Sequence, residues 1–353
     1  MKVLIVKTSA LGDVVHALPV LAWLKSADPL MEIDWLVEEG FAPLIEGHPL
    51  LRRVHRLCLK RWRREGWGAV LRGIGRTLGN LRKEKYDLVL DLQGNSKSGL
   101  FTLLSGAAQR YGFARNGVRE WPNLLATNRK VELGPDIHHI SERSLAVARA
   151  AFAGGKEAPL AGPMHVLPEA AETVRRQLTD LELDRQPLVV LQYGTTWVTK
   201  LWPLESWQEL VGKLCNESGL RPVLIWGNDA EHEACRAIHR AGNGRAVTWP
   251  RGTLPELVAL LRKADLVVGG DTGPIHIAAA VGTPTVSLFR VTDAERNGPR
   301  GEEHIRLQAP LDCSPCLRKK CERDAECGAS ITVGTVAEAI FRLLKEKPDE
   351  PIC

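Results

Sequence analysis

Residues 264–282 constrain the fold more than any other stretch. Ala264-Asp265-Leu266-Val267-Val268 is a short, β-branched apolar run bounded by charge, the pattern of a buried strand. It passes through Gly269-Gly270 into Asp271-Thr272-Gly273-Pro274-Ile275-His276 and then Ile277-Ala278-Ala279-Ala280-Val281-Gly282. Asp271 and Thr272 are N-cap residue types, and Pro274 suits a first helical turn, where its missing N–H would be unpaired anyway. The helix that follows is nearly bare of side chains. Its backbone can press against a sheet while its free N–H groups face the strand's end, which suits a phosphate or diphosphate. An ordinary capped helix would account for Asp271 or Thr272. Two adjacent glycines, a cap pair and a histidine one turn in point to a ligand as well.

The same strand-then-helix rhythm fills the chain. A first strand at 2–8 leads through Ser9-Ala10-Leu11-Gly12-Asp13 into a helix with apolar spacing at Val14, Val15, Leu18, Leu21 and Leu24. Further strands are expected at Ile33–Val37 and Tyr86–Leu92. Between about 155 and 170 the composition turns to Gly, Pro and Ala, the best candidate linker. A second series follows, with strands at Leu188–Leu191, Pro222–Trp226, 264–268 and Thr285–Phe289, and a last helix from about Val336 to Lys345. This alternation predicts parallel sheets covered on both faces: two doubly wound α/β domains in tandem, facing across a cleft between their strands' carboxyl ends. The boundaries are 1–160, 170–335, and a C-terminal helix and tail at 336–353.

A chain of 353 residues, 44% hydrophobic and 25% charged, can bury two such cores. No apolar run has the length of a membrane span, and Met1-Lys2-Val3-Leu4-Ile5-Val6 enters a strand where a signal peptide would be, so a cytoplasmic protein is expected. Eight cysteines are then expected as thiols or metal ligands, not as disulfides.

Several motifs carry chemistry. Gly12-Asp13 lies at the end of the first strand; Asp13 either favours a helix dipole or serves as a general base at the cleft. Lys60-Arg61-Trp62-Arg63-Arg64, with Arg52, Arg53 and Arg56 upstream, is the strongest basic cluster. No base-stacking module accompanies it and the net charge is only +5, which argues against nucleic acid. Guanidinium groups beside a cleft instead suit the carboxylates or phosphates of a small acidic acceptor. Tyr193-Gly194-Thr195-Thr196-Trp197-Val198-Thr199-Lys200 puts hydroxyls and a lysine at a strand's end, fit for phosphate oxygens, and Glu233 is a weaker candidate for a ribose or base contact. Cys313-x2-Cys316-x4-Cys321-x5-Cys327 could hold zinc or an iron–sulfur cluster, but its later spacings fit no standard finger, and a structural loop is the favoured reading. Gly73-x-Gly75-x3-Gly79 is helical by the spacing of Leu71, Ile74, Leu78 and Leu81, not a dinucleotide turn. With neither a P-loop nor an Asp-x-Asp, a diphosphate would be held by N–H groups, hydroxyls and Lys200, without metal or cofactor.

Lys7-Thr8-Ser9-Ala10-Leu11-Gly12-Asp13-Val14-Val15-His16-Ala17-Leu18-Pro19, together with Asp271-Thr272-Gly273-Pro274-Ile275-His276, resembles the lipopolysaccharide heptosyltransferases of glycosyltransferase family 9, closest to the heptosyltransferase I branch. The resemblance covers nearly the whole chain. It implies a GT-B fold of two Rossmann-like domains, acceptor-binding first and nucleotide-sugar-binding second. It also implies an ADP-heptose donor and Kdo2-lipid A as acceptor, met at the cytoplasmic face of the inner membrane, with closure by a hinge near 155–170. It makes Asp13 the catalytic base. Donor contacts fall on Thr195, Thr196, Lys200, Glu233, Asp271, Thr272, Gly273 and His276, and acceptor contacts on Arg61, Arg63, Arg64 and Arg119. The cysteine cluster departs from this branch and leaves addition of a later heptose, or sugar-nucleotide binding without turnover, as alternatives.

Overall fold

The computed structural model describes residues 1–345, in two compact units, Met1–His165 and the residues from Val166 on. The first unit contains β1 (Lys2–Val6), α1 (Leu11–Val15), α2 (Pro19–Ala27), β2 (Glu32–Glu38), β3 (Arg53–Leu57), α3 (Leu59–Glu65) and α4 (Trp67–Glu84). It continues with β4 (Leu88–Asp91), α5 (Ser96–Leu104), β5 (Gln109–Phe113), β6 (Arg129–Val131) and α6 (Ile140–Ala151). The second begins with α7 (Pro168–Asp180), β7 (Val189–Gln192), α8 (Leu204–Glu217), β8 (Val223–Ile225), α9 (Asp229–Ala241), β9 (Val247–Thr248) and α10 (Leu254–Lys263). It ends with β10 (Leu266–Gly270), α11 (Gly273–Ala280), β11 (Thr285–Phe289), α12 (Ala294–Asn297), β12 (His304–Gln308), α13 (Asp324–Ala329) and α14 (Val333–Lys345).

Each unit is one all-parallel sheet of six strands, in the orders β3-β2-β1-β4-β5-β6 and β12-β11-β10-β7-β8-β9. Read from its own first strand, the second sheet repeats the order of the first. Both are the doubly wound arrangement expected from the alternation of strands and helices. In each, the order reverses once, between β1 and β4 and between β7 and β10. At such a reversal the crossover helices leave to opposite faces, and a crevice opens at the carboxyl ends of the two strands. The central strands are buried on both faces: Val3, Leu4, Ile5 and Val6 in β1, and Leu266, Val267 and Val268 in β10, are inaccessible.

The glycine-bearing segment around residue 75 is helical, as its spacing predicts. A Cβ on Gly73 would strike the Trp62 ring, so this glycine lets α3 lie against α4. The stretch 324–345 is apolar enough to cross a membrane by length and composition, yet it breaks at 330–332, and Val336, Ile340 and Leu343 of α14 pack into the second unit's core. That helix starts at Val333, earlier than expected, and residues 346–353 of the C-terminal segment, with Cys353, lie outside the described residues. One expectation is corrected here. Arg52, Arg53 and Arg56 do not join a single basic cluster, because 53–57 is the edge strand β3. Arg52 is bonded to Asp34 and Glu84, Arg53 to Glu84, and Arg56 to Glu46 at 2.5 Å, so their charges are spent within the fold.

Candidate functional site

In the second unit the crevice at the sheet reversal is built from the carboxyl ends of β7 and β10. Thr272 occupies the N-cap position of α11, but its side chain makes no capping bond. The preceding Asp271 carboxylate turns instead to Lys200, whose Nζ lies 2.6 Å from Oδ2, and to His276, whose Nε2 lies 3.1 Å from Oδ1. Burial works against this carboxylate's charge, but the hydrogen bond and charge of His276 and the charge of Lys200 outweigh it and hold Asp271 far below the usual carboxylate range. The two glycines before it have a steric cause. A Cβ on Gly269 would crowd Gln192 and Ile275, and one on Gly270 would crowd Thr195 and the Lys200 carbonyl. Small residues thus let the 193–200 loop and α11 close on the strand end and bring Lys200 to the helix nose.

That loop is braced from below. Thr195 Oγ1 donates to Trp197 O at 2.7 Å, and buried Thr199 donates to Arg318 O at 2.8 Å. The ammonium groups of Lys200 and Lys319 lie 5.1 and 4.9 Å from the Trp197 ring centre. Arg290, buried beneath, donates to Leu201 O and to Asp324, and its own carbonyl accepts from Ser314. The cysteine-bearing loop 311–323 is therefore a support for the Lys200 loop. Burial pushes the Cys327 thiol up. Among the described residues no three His, Cys, Asp or Glu side chains are grouped to hold a metal ion.

In the first unit the corresponding crevice lies between β1 and β4. Asp13 sits in the first turn of α1, where its Oδ2 accepts from Ala10 N at 3.2 Å and faces Arg119 Nη1 at 3.4 Å. Three ties hold this turn to the segment that follows β4. Buried Lys7 donates from Nζ to Leu92 O at 2.8 Å, and Gln93 Oε1 accepts from both Thr8 N and Ser9 N at 3.0 and 3.1 Å. Lys97, paired with Glu38, reaches Ser9 Oγ at 3.4 Å. Burial pulls the Lys7 pKa down, opposed by the nearby carboxylates of Asp13 and Asp91. Arg119 is positioned through its backbone: its N–H and that of Glu120 both donate to Gly94 O. Gly94 stands at φ +71°, which favours glycine, and fully buried Asp91 accepts from Gln93 N, Gly94 N and Asn123 Nδ2 to fix the loop.

Of the residues singled out from sequence, Lys200, Asp271, Thr272, Gly273 and His276 come together at one strand end, with Thr195 beside them. Asp13 and Arg119 come together in the other unit. Arg61 pairs with Glu39 at 2.9 Å, and Arg63 and Arg64 are exposed on α3. Thr196 is exposed, and Glu233 pairs with Arg236 on the exposed side of α9. Its neighbour Glu231 is the carboxylate at the β8 loop, accepting from Gly227 N and Asn228 Nδ2 and filling the space over Gly194. Sequence reading missed Glu231, Gln93 and Lys97. For the last two the signal was there: the polar Gln93-Gly94-Asn95 at the end of an apolar strand, with an N-cap residue opening a helix.

Residues 74–325 match the family model "Glycosyltransferase family 9 (heptosyltransferase)". The chain belongs to glycosyltransferase family 9. Within the family it is 38% identical over 325 residues to lipopolysaccharide heptosyltransferase 1 of Pseudomonas aeruginosa, covering 91% of this chain and 87% of that one. It is 34% identical to the Escherichia coli K12 protein of the same name, covering 88% and 95%. It is also similar in structure to the E. coli heptosyltransferase WaaC with ADP: TM-score 0.79 at 29% identity, over 97% of this chain and 100% of that one. The match takes in both sheets at once, so this family 9 chain has the GT-B fold. The two strand-end clusters lie where doubly wound sheets bind ligands.

Proposed function

We propose that the protein is an inverting heptosyltransferase of lipopolysaccharide inner-core synthesis, moving heptose from ADP-L-glycero-D-manno-heptose to a Kdo of Kdo2-lipid A. The observation that carries this reading is the likeness, over nine-tenths of the chain, to a protein named heptosyltransferase 1 at 38% identity. The relatives named heptosyltransferase 3 and 2 stand at 28%.

The chemistry follows from the residues. Asp13 takes the proton from the acceptor hydroxyl, which attacks the anomeric carbon as its bond to the ADP oxygen breaks. Negative charge growing on the leaving diphosphate is met by Lys200 and by the N–H groups at the nose of α11 around Thr272 and Gly273, with no metal needed. Thr195, Thr196 and His276 complete the donor side, and the carboxylate expected at Glu233 falls instead on Glu231, since Glu233 faces outward to Arg236. Arg61, Arg63, Arg64 and Arg119 grip the carboxylates and phosphates of the acceptor. The acceptor is a lipid, so the enzyme works as a peripheral protein on the cytoplasmic face of the inner membrane.

The test is transfer from ADP-heptose to Kdo2-lipid A and, separately, to a core that already carries one heptose. Turnover with the first acceptor is expected. Turnover with only the second would reject the acceptor assigned here.

A further inference from the structure

We infer that the α3–α4 corner of the first unit is the surface by which the protein docks on an anionic lipid bilayer; this rests on the reading of the acceptor as a lipid. The two helices, residues 59–84, carry eight Lys and Arg against two carboxylates, Glu65 and Glu84. That is six net positive charges where the whole chain has five, although Arg61 is paired with Glu39.

Its apolar side chains are as unusual as its charge. Trp67 and Leu71, one helical turn apart on α4, are 82% and 70% exposed. They stand proud of a smooth surface, because Gly68, Gly75 and Gly79 on the same helix have open space around the Cβ position. The neighbouring flank of α4 is buried at Val70 and Leu81, and Ile74 and Leu81 pack with the first unit's core. Arg72 and Arg76 are exposed on the same helix, and α3, which ends two residues before Trp67, exposes Arg63 and Arg64. An exposed indole and leucine on a helix that also exposes arginines is the arrangement of a helix that lies in a bilayer interface: apolar tips enter the acyl boundary and guanidinium groups meet lipid phosphates. A solvated basic face alone would give no reason for the bare Trp and Leu.

The corner is also placed for the reaction. α3 and α4 begin at the carboxyl end of β3, the end of the parallel sheet at which Asp13 opens α1. Trp121 and Leu125, 71% and 73% exposed, follow Arg119 in the loop from the carboxyl end of β5. Docking through this end would present Asp13 and Arg119 toward the headgroup layer.

The test is co-sedimentation of the full chain with vesicles of phosphatidylcholine alone or with 30% phosphatidylglycerol, without donor or acceptor. Binding to the anionic vesicles is expected at least tenfold above the neutral ones at low salt, collapsing at high salt. Trp67→Ser with Leu71→Ser, and separately Arg72→Gln with Arg76→Gln, should each lower it about tenfold or more. Both pairs are exposed, so folding should be unchanged. Turnover on a water-soluble, deacylated acceptor should also be unchanged while turnover on vesicle-borne acceptor falls. Equal binding to both vesicle types, or a Trp67/Leu71 variant that binds like the parent, would overturn the assignment. So would a parent that sediments as a dimer and a variant that does not, with vesicle binding unaltered. Vesicle binding without any heptose transfer would instead refute the function proposed above and leave the docking surface supported.

Discussion

Asp271→Asn tests the arrangement at the nose of α11. The substitution keeps shape and volume and removes one charge from a buried cluster in which Lys200 Nζ is 2.6 Å and His276 Nε2 3.1 Å from the carboxylate oxygens. Two unit charges 4 Å apart attract by about 4 kcal/mol at an effective dielectric of 20. Stripping one member from a buried pair costs about 3–5 kcal/mol, since the other charge is left uncompensated. Lys200 is only partly stranded: its Nζ also reaches Asp271 O at 3.3 Å and lies over the Trp197 ring. A loss of about 3 kcal/mol is therefore expected, at the low end of that range, which for a unit of this size is roughly 6–12 °C in Tm. The pH dependence has a definite sign. The Asp271 pKa in the folded protein is depressed below that of the unfolded chain, near 3.9, so its contribution is full above about pH 5 and drains away as the pH falls below about 4. The gap between parent and variant should narrow steadily over that acid range. Hydrogen exchange of peptides from 189–200 and 266–280 in urea, at pH 7 and at pH 3, measures it. Equal stability at pH 7, or a gap that persists undiminished at pH 3, would refute the reasoning.

Other consequences can be checked in parallel. Lys200→Met removes the ammonium paired with Asp271 and should weaken ADP binding by roughly 10- to 100-fold in calorimetry, the worth of one or two charge-assisted hydrogen bonds. Gln93→Leu leaves the N–H groups of Thr8 and Ser9 without their acceptor, at about 1–3 kcal/mol each when buried. Exchange protection at residues 7–15 should fall, and turnover with it, while ADP binding stays. Arg290→Met removes the guanidinium that ties Leu201 of the Lys200 loop to Asp324, and leaves the backbone bond from Ser314 in place. It should cost about 3 kcal/mol or more by denaturant titration, and faster exchange should appear in both 195–203 and 311–325.

What could be read from the sequence depended on burial. β1, β2, β4, β7, β8, β10 and β11 show as apolar runs because central strands of a covered parallel sheet are apolar on both faces. The strands not anticipated are Arg53–Leu57, Gln109–Phe113, Arg129–Val131, Val247–Thr248 and His304–Gln308. Four of these are sheet edges and the fifth, β5, is next to one. Arginine and histidine are tolerated there because one side meets solvent or an ion pair, so periodicity had nothing to report. In the site, the glycine pair, Asp271 and His276 announced themselves through residue types that a plain helix start has no use for. Glu231 did not, since Asp229, Glu231 and Glu233 all sit in the first two turns of α9, and only the chain path after Trp226 decides which carboxylate turns inward. The arginines upstream of residue 57 misled for the same reason: a count of charges does not show that Asp34, Glu46 and Glu84 already answer them.

The central claim is that a carboxylate of the first unit deprotonates the acceptor while the second unit alone holds the nucleotide. Asp13→Asn separates the two roles in one preparation, by heptose transfer to Kdo2-lipid A and by ADP titration. Turnover should fall by about a thousandfold, within the range for loss of a general base, with the ADP dissociation constant unchanged within about twofold. A variant that keeps turnover within about tenfold of the parent, or that loses ADP affinity along with its rate, would contradict the account.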